Sequence, residues 1–123
     1  MKPLRADNLE SFNRRFNYAK DAMLNSLDVI DATTISLRLS VQDEGRGFDW
    51  IDIVVEVSGV SDARLVDDNR LSLIDMSDGL SVIFEDGVVI VAVGSYKRVD
   101  SAVNAPLFIK GGTLKYQENS FSA

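Results

Sequence analysis

The chain has 123 residues, with 19 acidic and 13 basic side chains and neither a cysteine nor a histidine. This length suits one globular domain with its own hydrophobic core. The missing cysteines exclude disulfides, thiolate nucleophiles and cysteine-ligated zinc, and the missing histidines exclude the commonest general base and metal ligand. We therefore predict a non-enzymatic protein with no catalytic residue, no metal site and no cofactor.

The apolar residues of the chain are never gathered into one long run. A membrane-spanning helix requires a run of about 18 apolar residues, and no segment of the chain comes near that length. The first twenty residues carry seven charged side chains and no apolar stretch, so we expect no secretory signal. These features predict a cytoplasmic protein that does not enter a membrane.

The negative charge is concentrated in the middle of the chain. Residues 43–86 hold twelve acidic and three basic side chains, a net charge of −9, whereas the whole chain has −6. Such a segment repels phosphates, so nucleic acid is not an expected ligand. It attracts positive charge instead, and we expect any protein partner to be basic.

The N-terminal segment from about residue 7 to residue 30 has the pattern of an amphipathic helix. Asp7 and Glu10, three residues apart, resemble a capping box. Apolar side chains then recur every three or four residues, as on one face of a helix: Leu9, Phe12, Phe16, Ala19, Met23, Leu27 and Ile30. The spacing predicts one helix over this range.

From Thr33 the apolar period changes to two, which indicates strands. Residues 35–41 and 50–57 each alternate between apolar and polar side chains. We predict that Ser58-Gly59-Val60 forms a three-residue hairpin loop, with Val57 opposite Ser61 and Ile53 opposite Leu65. A further short strand is predicted over residues 71–74.

The strongest turn signal is Asp86-Gly87, which is typical of a two-residue type I′ hairpin. It predicts that Phe84 lies opposite Val89, with two more apolar pairs at Val82–Val91 and Leu80–Val93. Residues 95–106 read as a loop with a short helical turn, residues 107–109 and 113–116 as weak strands, and residues 117–123 as a loose tail. The predicted fold is α+β: one N-terminal helix on a mainly antiparallel sheet of five to seven strands within residues 33–116.

The carboxylates do not form a convincing catalytic or metal site. Asp52 and Glu56 are four residues apart on one strand, about 13 Å, which is too far for a retaining glycosidase. Residues 43–49 resemble a calcium loop, but Val54 stands where an EF-hand requires its closing glutamate. Solvated acids and turn-forming glycines explain both features.

One group of residues does suggest a protein-binding surface, because it combines an aromatic side chain with many acids. Trp50, Asp52 and Glu56 share the strand face opposite to the apolar one, and further acids flank the strand. An aromatic ring supplies buried area and the acids attract a basic partner. The alternative is that Trp50 packs into a minor core. The candidate partner-binding residues are Asp43, Glu44, Asp49, Trp50, Asp52, Glu56, Asp62, Asp67 and Asp68.

Two segments also carry a family resemblance. The strand at residues 49–60, led by Trp50, and the later turn Ser77-Asp78-Gly79 resemble those of small bacterial α+β proteins, among them immunity proteins of toxin systems. The resemblance covers residues 49–94 and implies a protein that binds and neutralises a cognate toxin, and the acidic middle segment favours a basic one. Two other possibilities remain open at this stage: a self-associating structural or adaptor domain that forms a homo-oligomer, and an enzyme that uses carboxylates alone.

Overall fold

The computed structural model describes residues 1–121. The α-helices are α1 (Leu9–Arg15) and α2 (Val99–Ala102), and 3-10 helices cover Asn17–Ala19, Glu44–Arg46 and Asp68–Leu73. The strands are β1 (Lys2–Leu4), β2 (Met23–Asp31), β3 (Thr34–Asp43), β4 (Asp49–Ser58), β5 (Asp62–Arg64), β6 (Leu80–Glu85), β7 (Val88–Val93), β8 (Phe108–Gly111) and β9 (Thr113–Asn119).

The strands form two antiparallel sheets that enclose one core. The first sheet has the order β1-β9-β4-β3-β2 and the second β5-β8-β7-β6. Alternate residues of β3 and β4, such as Leu37, Leu39 and Ile53, point inwards and meet Val89 and Val91 of the second sheet. The α+β class and the antiparallel pairing are confirmed. The number of strands, nine in two sheets among the described residues, exceeds the predicted five to seven.

The predicted helix over residues 7–30 is wrong beyond its first two turns. Within this range α1 is the only α-helix, and residues 23–31 form the edge strand β2. Phe12 and Phe16 do pack as the helical stripe requires, with their ring centroids 5.0 Å apart. After them, buried Ala22 and Leu24 alternate with exposed neighbours, which is a strand period. The apolar spacing of three and four residues continued by coincidence into a strand that pairs with β3.

A left-handed turn separates α1 from β2 and fixes the change of direction. Asn17, Tyr18 and Ala19 have φ of 52°, 57° and 56°, a conformation that costs energy in residues other than glycine. The turn packs against Gly79, where an added Cβ would lie 2.0 Å from the Tyr18 carbonyl oxygen. Only glycine fits at this crossing, which attaches the N-terminal segment to the second sheet.

The hairpin at Asp86-Gly87 is confirmed in every predicted pair. Phe84 lies opposite Val89, Val82 opposite Val91 and Leu80 opposite Val93. The predicted helical turn within residues 95–106 is α2, which covers the outer face of the second sheet. A second apolar cluster lies there and includes Ile90, Val99 and Phe108, with Ile83 packed against it.

Two other local predictions are wrong. Ser58-Gly59-Val60 is not a hairpin loop, because the chain crosses there to the other sheet and β5 pairs with β8. Val57 instead lies between Ile35 of β3 and Leu114 of β9. Residues 71–74 belong to a 3-10 helix and its end rather than a strand: Leu71 is buried in the core, Ile74 packs partly against it, and Leu73 between them is exposed.

The last strand is longer than the sequence indicates. Predicted strands at 107–109 and 113–116 are found as β8 and β9, but β9 runs on to Asn119 through what we predicted as a loose tail. Residues 122 and 123 of that tail lie outside the described part of the chain. None of the helices in residues 1–121 has the length and apolar character needed to traverse a bilayer.

Candidate protein-binding surface

The connection between β3 and β4 rests on a buried carboxylate. Asp43, at the end of β3, has no solvent exposure. Its side chain accepts hydrogen bonds from Nε and Nη2 of Arg15, at 2.8 and 2.7 Å, and from the backbone N–H of Gly45 at 2.9 Å. Arg46 adds an ion pair at 3.2 Å. The turn is therefore held from inside by charge-assisted hydrogen bonds.

Arg15 connects this turn to the last strand as well. Its Nη1 donates to Glu118 of β9 at 3.0 Å, and its Nη2 contacts the other carboxylate oxygen. Hydrogen bonds from Arg15 lower the pKa of both Asp43 and Glu118, and these acceptors in turn raise the pKa of Arg15. Both acids are thus carboxylates at neutral pH, so this pair has no proton to donate.

Above this base the turn presents an exposed aromatic side chain. Glu44–Arg46 form a single 3-10 turn, Gly47 follows with φ 65°, and Phe48 has φ 68°. A positive φ is costly for a bulky residue. The backbone N–H of Phe48 donates to the Asp43 carbonyl at 2.8 Å, while its side chain remains 60% exposed. The strain therefore does not bring Phe48 into the core.

Two more aromatic side chains lie at the same end of the first sheet. Trp50 begins the outer face of β4 and is 36% exposed, and Phe121 is 38% exposed. Their ring centroids are 6.3 Å apart at an interplanar angle of 37°. We call Phe48, Trp50 and Phe121 the aromatic tip. Two exposed acids, Glu44 and Asp49, belong to the same turn.

Asp52 lies on the same strand face as Trp50 but is buried. It accepts a hydrogen bond of 2.6 Å from Oγ of Ser40, which in turn accepts one of 2.9 Å from Asn25. The three side chains cross from β2 to β4 on the outer face of the sheet. Asp52 and Asp43 are therefore internal supports of the candidate surface and not residues that a partner could touch directly.

The four remaining predicted residues lie elsewhere. Glu56 is near the far end of β4, opposite Lys115 in the register with β9. Asp62 lies beyond that end, in β5 of the second sheet, and the end of β4 is itself about 30 Å from Asp49 by strand rise. Asp67 precedes the 3-10 helix beside β2, and Asp68 accepts the backbone N–H of Leu27. The nine candidates thus do not form one patch, and only Glu44, Asp49 and Trp50 join the aromatic tip as exposed side chains.

Sequence reasoning missed four residues of this surface and its base: Arg15, Phe48, Glu118 and Phe121. The exposure of Phe48 could have been predicted, because a phenylalanine directly after a glycine-rich turn lies outside the strand and has no strand face to occupy. The contacts of Arg15 and Glu118 span 103 residues and had no local signal.

The described residues contain no assembled metal site. Nowhere in residues 1–121 do three or more acidic side chains come together in a way that could hold an ion. Comparison of the chain with protein-family models, curated proteins and solved structures found no match. The geometry of the surface is therefore the basis for assigning a function.

Proposed function

We propose that this protein is a non-enzymatic protein-binding domain whose contact surface is the aromatic tip with Glu44 and Asp49. The observation that carries the proposal is the exposure of Phe48 at a positive φ. The strained backbone of Phe48 does not bury its ring within the chain. The strain is explained if another molecule buries the ring. Exposed aromatic residues are also the side chains that contribute most to protein–protein binding energy.

The base of the tip supports the same role, because it is rigid. Asp43 is held by Arg15, Arg46 and the Gly45 N–H, so the turn loses little conformational entropy when a partner binds. Preorganised surfaces of this kind favour slow dissociation. A flexible loop with the same sequence would bind more weakly.

The charge of the chain favours a basic partner. The net charge is −6, and the tip carries two exposed acids and no ion pair between them and a basic residue within residues 1–121. Long-range attraction of this type raises association rates and weakens with salt. The most concrete form of the proposal is an immunity protein that neutralises a bacterial toxin, as the resemblance of residues 49–94 implies, and the charge favours a basic toxin.

The experiment is co-expression with the product of the neighbouring gene. We expect the wild-type chain to rescue growth and to copurify with that product. The double variant Phe48→Ala/Trp50→Ala should lose both effects. The control is Leu73→Ala, which removes an apolar side chain that is 81% exposed on the 3-10 helix beside β2. If the double variant rescues growth as well as the wild type does, the aromatic tip is not the contact surface. If the wild type does not rescue growth, the protein is not an immunity protein for that gene product.

A further inference from the structure

The two sheets have four edge strands, and three of them are protected against pairing with another chain. β1 and β5 have only three residues each, and Pro3 of β1 has no N–H to donate. β2 is longer, but two bulges interrupt its register and the N–H of Leu27 is taken by Asp68. Short strands, proline, bulges and covering segments are the usual means of blocking an edge.

β6 is neither short nor interrupted by a proline or a bulge, and the turn at Asn17–Ala19 lies against its start, beside Gly79. Its six residues pair with β7 in an uninterrupted register, and its sequence Leu80–Glu85 contains neither proline nor lysine. Because the two-residue turn makes Glu85–Val88 a hydrogen-bonded pair, the N–H and C=O groups of Leu80, Val82 and Phe84 point away from β7. Among the described residues these outward groups have no hydrogen-bond partner.

Open space lies along this edge. A groove of about 330 Å³ borders Leu80 and Val82 and is flanked by Tyr18 and Tyr96. A second groove of about 600 Å³ borders the other end of the strand, at Phe84. The edge of β6 is thus accessible at both ends. No residue of the aromatic tip lines either groove, so the two surfaces are separate.

We propose that β6 pairs with β6 of a second copy of this chain, antiparallel about a two-fold axis at Val82. In this register Val82 faces its own counterpart and Leu80 faces Phe84 of the second copy. Each of the three pairs exchanges two backbone hydrogen bonds, so six form in all. The inner face of β6 then continues across the axis as one apolar surface, within an eight-stranded sheet built from two copies of β5-β8-β7-β6.

The sequence of β6 selects this register. Shifting the second copy by two residues in one direction sets Leu80 opposite Asp86, which desolvates a charge against an apolar side chain. Shifting it the other way sets Phe84 opposite Asp78, which likewise places a charge against an apolar side chain. Only the register centred on Val82 matches apolar residues throughout, and such pairs are what stabilise neighbouring strands.

The charged side chains near β6 lie beyond the three apolar pairs. The first groove holds Lys20 and Asp78, and the second holds Arg5, Lys115 and the Glu85-Asp86 pair. Antiparallel pairing brings the first groove of one copy to the second groove of the other. In the register centred on Val82, Asp78 lies opposite Asp86 of the second copy at each end of the paired strands. Both acids are exposed, so water and salt screen their repulsion, and the basic side chains Lys20, Arg5 and Lys115 border the same two grooves.

Single-cysteine variants test the proposal directly, because the chain has no cysteine of its own. In the proposed dimer the two Val82 Cα atoms lie about 5.5 Å apart, within reach of a disulfide. Under mild oxidation Val82→Cys should therefore form a covalent dimer at least about tenfold faster than Val29→Cys on the other long edge. Val29 is 64% exposed and Val82 only 9%, so random collision would give the opposite order.

The mass in solution supplies the second measurement. Sedimentation at concentrations up to about 100 µM should give twice the 13.5 kDa of one chain. Val82→Pro removes an N–H that β7 does not use, and should restore the mass of one chain with an unchanged circular dichroism spectrum. A single-chain mass for the wild type overturns the proposal. So does a dimer in which Val29→Cys crosslinks as fast as Val82→Cys, because that dimer would use another surface.

Discussion

Arg15 in α1 holds Asp43 at the end of β3 through two hydrogen bonds, 2.8 Å from Nε and 2.7 Å from Nη2. Asp43 is fully buried, so without this cation its charge would be left largely uncompensated beneath the turn that carries Phe48. The same guanidinium binds Glu118 in β9. One side chain therefore ties the helix to two strands at the end of the molecule that bears the aromatic tip.

Replacing this arginine should destabilise the fold. We expect Arg15→Ala to lower the free energy of unfolding by about 2–3 kcal/mol, since it leaves a buried carboxylate with a weaker partner, Arg46. The matched control is Arg14→Ala, the exposed neighbour, which should change it by less than about 0.5 kcal/mol. Urea denaturation of the two variants decides the matter. Equal losses would show that Arg15 acts as an ordinary surface charge.

The same contacts predict a dependence of stability on pH. The pKa values of Asp43 and Glu118 are lowered in the folded state from ordinary values of 3.8 and 4.5. The unfolded chain therefore binds more protons in acid, so their contribution is complete above about pH 5 and is lost as the pH falls through the folded pKa values. Arg15→Ala should flatten the acid limb of a plot of unfolding free energy against pH. Parallel limbs for wild type and variant would contradict this.

Two glycines with similar backbone angles should respond differently to alanine. Gly79 has φ 72°, and its added Cβ would meet the Tyr18 carbonyl oxygen at 2.0 Å. Gly87 has φ 79° and no atom within 4 Å of an added Cβ. Gly87→Ala should cost about 1 kcal/mol from backbone strain alone, and Gly79→Ala at least about 2–3 kcal/mol. Thermal unfolding of both variants measures the difference, and similar losses would mean that the crossing at Gly79 is not tightly packed.

Phe48 should show a conflict between stability and binding. Glycine adopts φ 68° without strain, so Phe48→Gly should leave the free energy of unfolding unchanged or raise it by up to about 1 kcal/mol. The same change removes the exposed ring of the tip and should abolish partner binding. A control at Phe12, which packs against Phe16 and Tyr116, should behave oppositely in stability, because Phe12→Gly removes a core contact. Marked destabilisation by Phe48→Gly would mean that its ring packs within the chain.

The parts of the fold that the sequence predicts correctly are those in which local chemistry and pairing agree. Asp86-Gly87 sets a two-residue turn and the flanking apolar residues meet in that register, so Phe84–Val89 follows from both. The prediction of the N-terminal helix is wrong where the local apolar spacing and the tertiary contacts disagree. Its apolar spacing persists to Ile30, but the left-handed turn at Asn17–Ala19 depends on Gly79, 60 residues away, and has no local signal.

The candidate surface divides in the same way. Trp50 and Asp49 could be found from the strand pattern, because the register of β4 fixes which side chains face outwards. The burial of Asp43 and Asp52 could not be predicted from the sequence, because each side chain is held by a partner from another element. Arg15 of α1 holds Asp43, and Ser40 of β3 holds Asp52. Counting acids along the chain therefore predicted one extended patch where the fold builds a small tip on buried supports.

The affinity of the tip for its partner is the most direct test of the proposed function. Titration calorimetry with the purified product of the neighbouring gene should show that Phe48→Ala/Trp50→Ala weakens binding about 100-fold or more, as loss of two aromatic anchors does. Leu73→Ala should leave the affinity within about twofold. If the double variant binds as tightly as the wild type while Leu73→Ala does not, the partner docks beside β2, and the aromatic tip is not the binding surface.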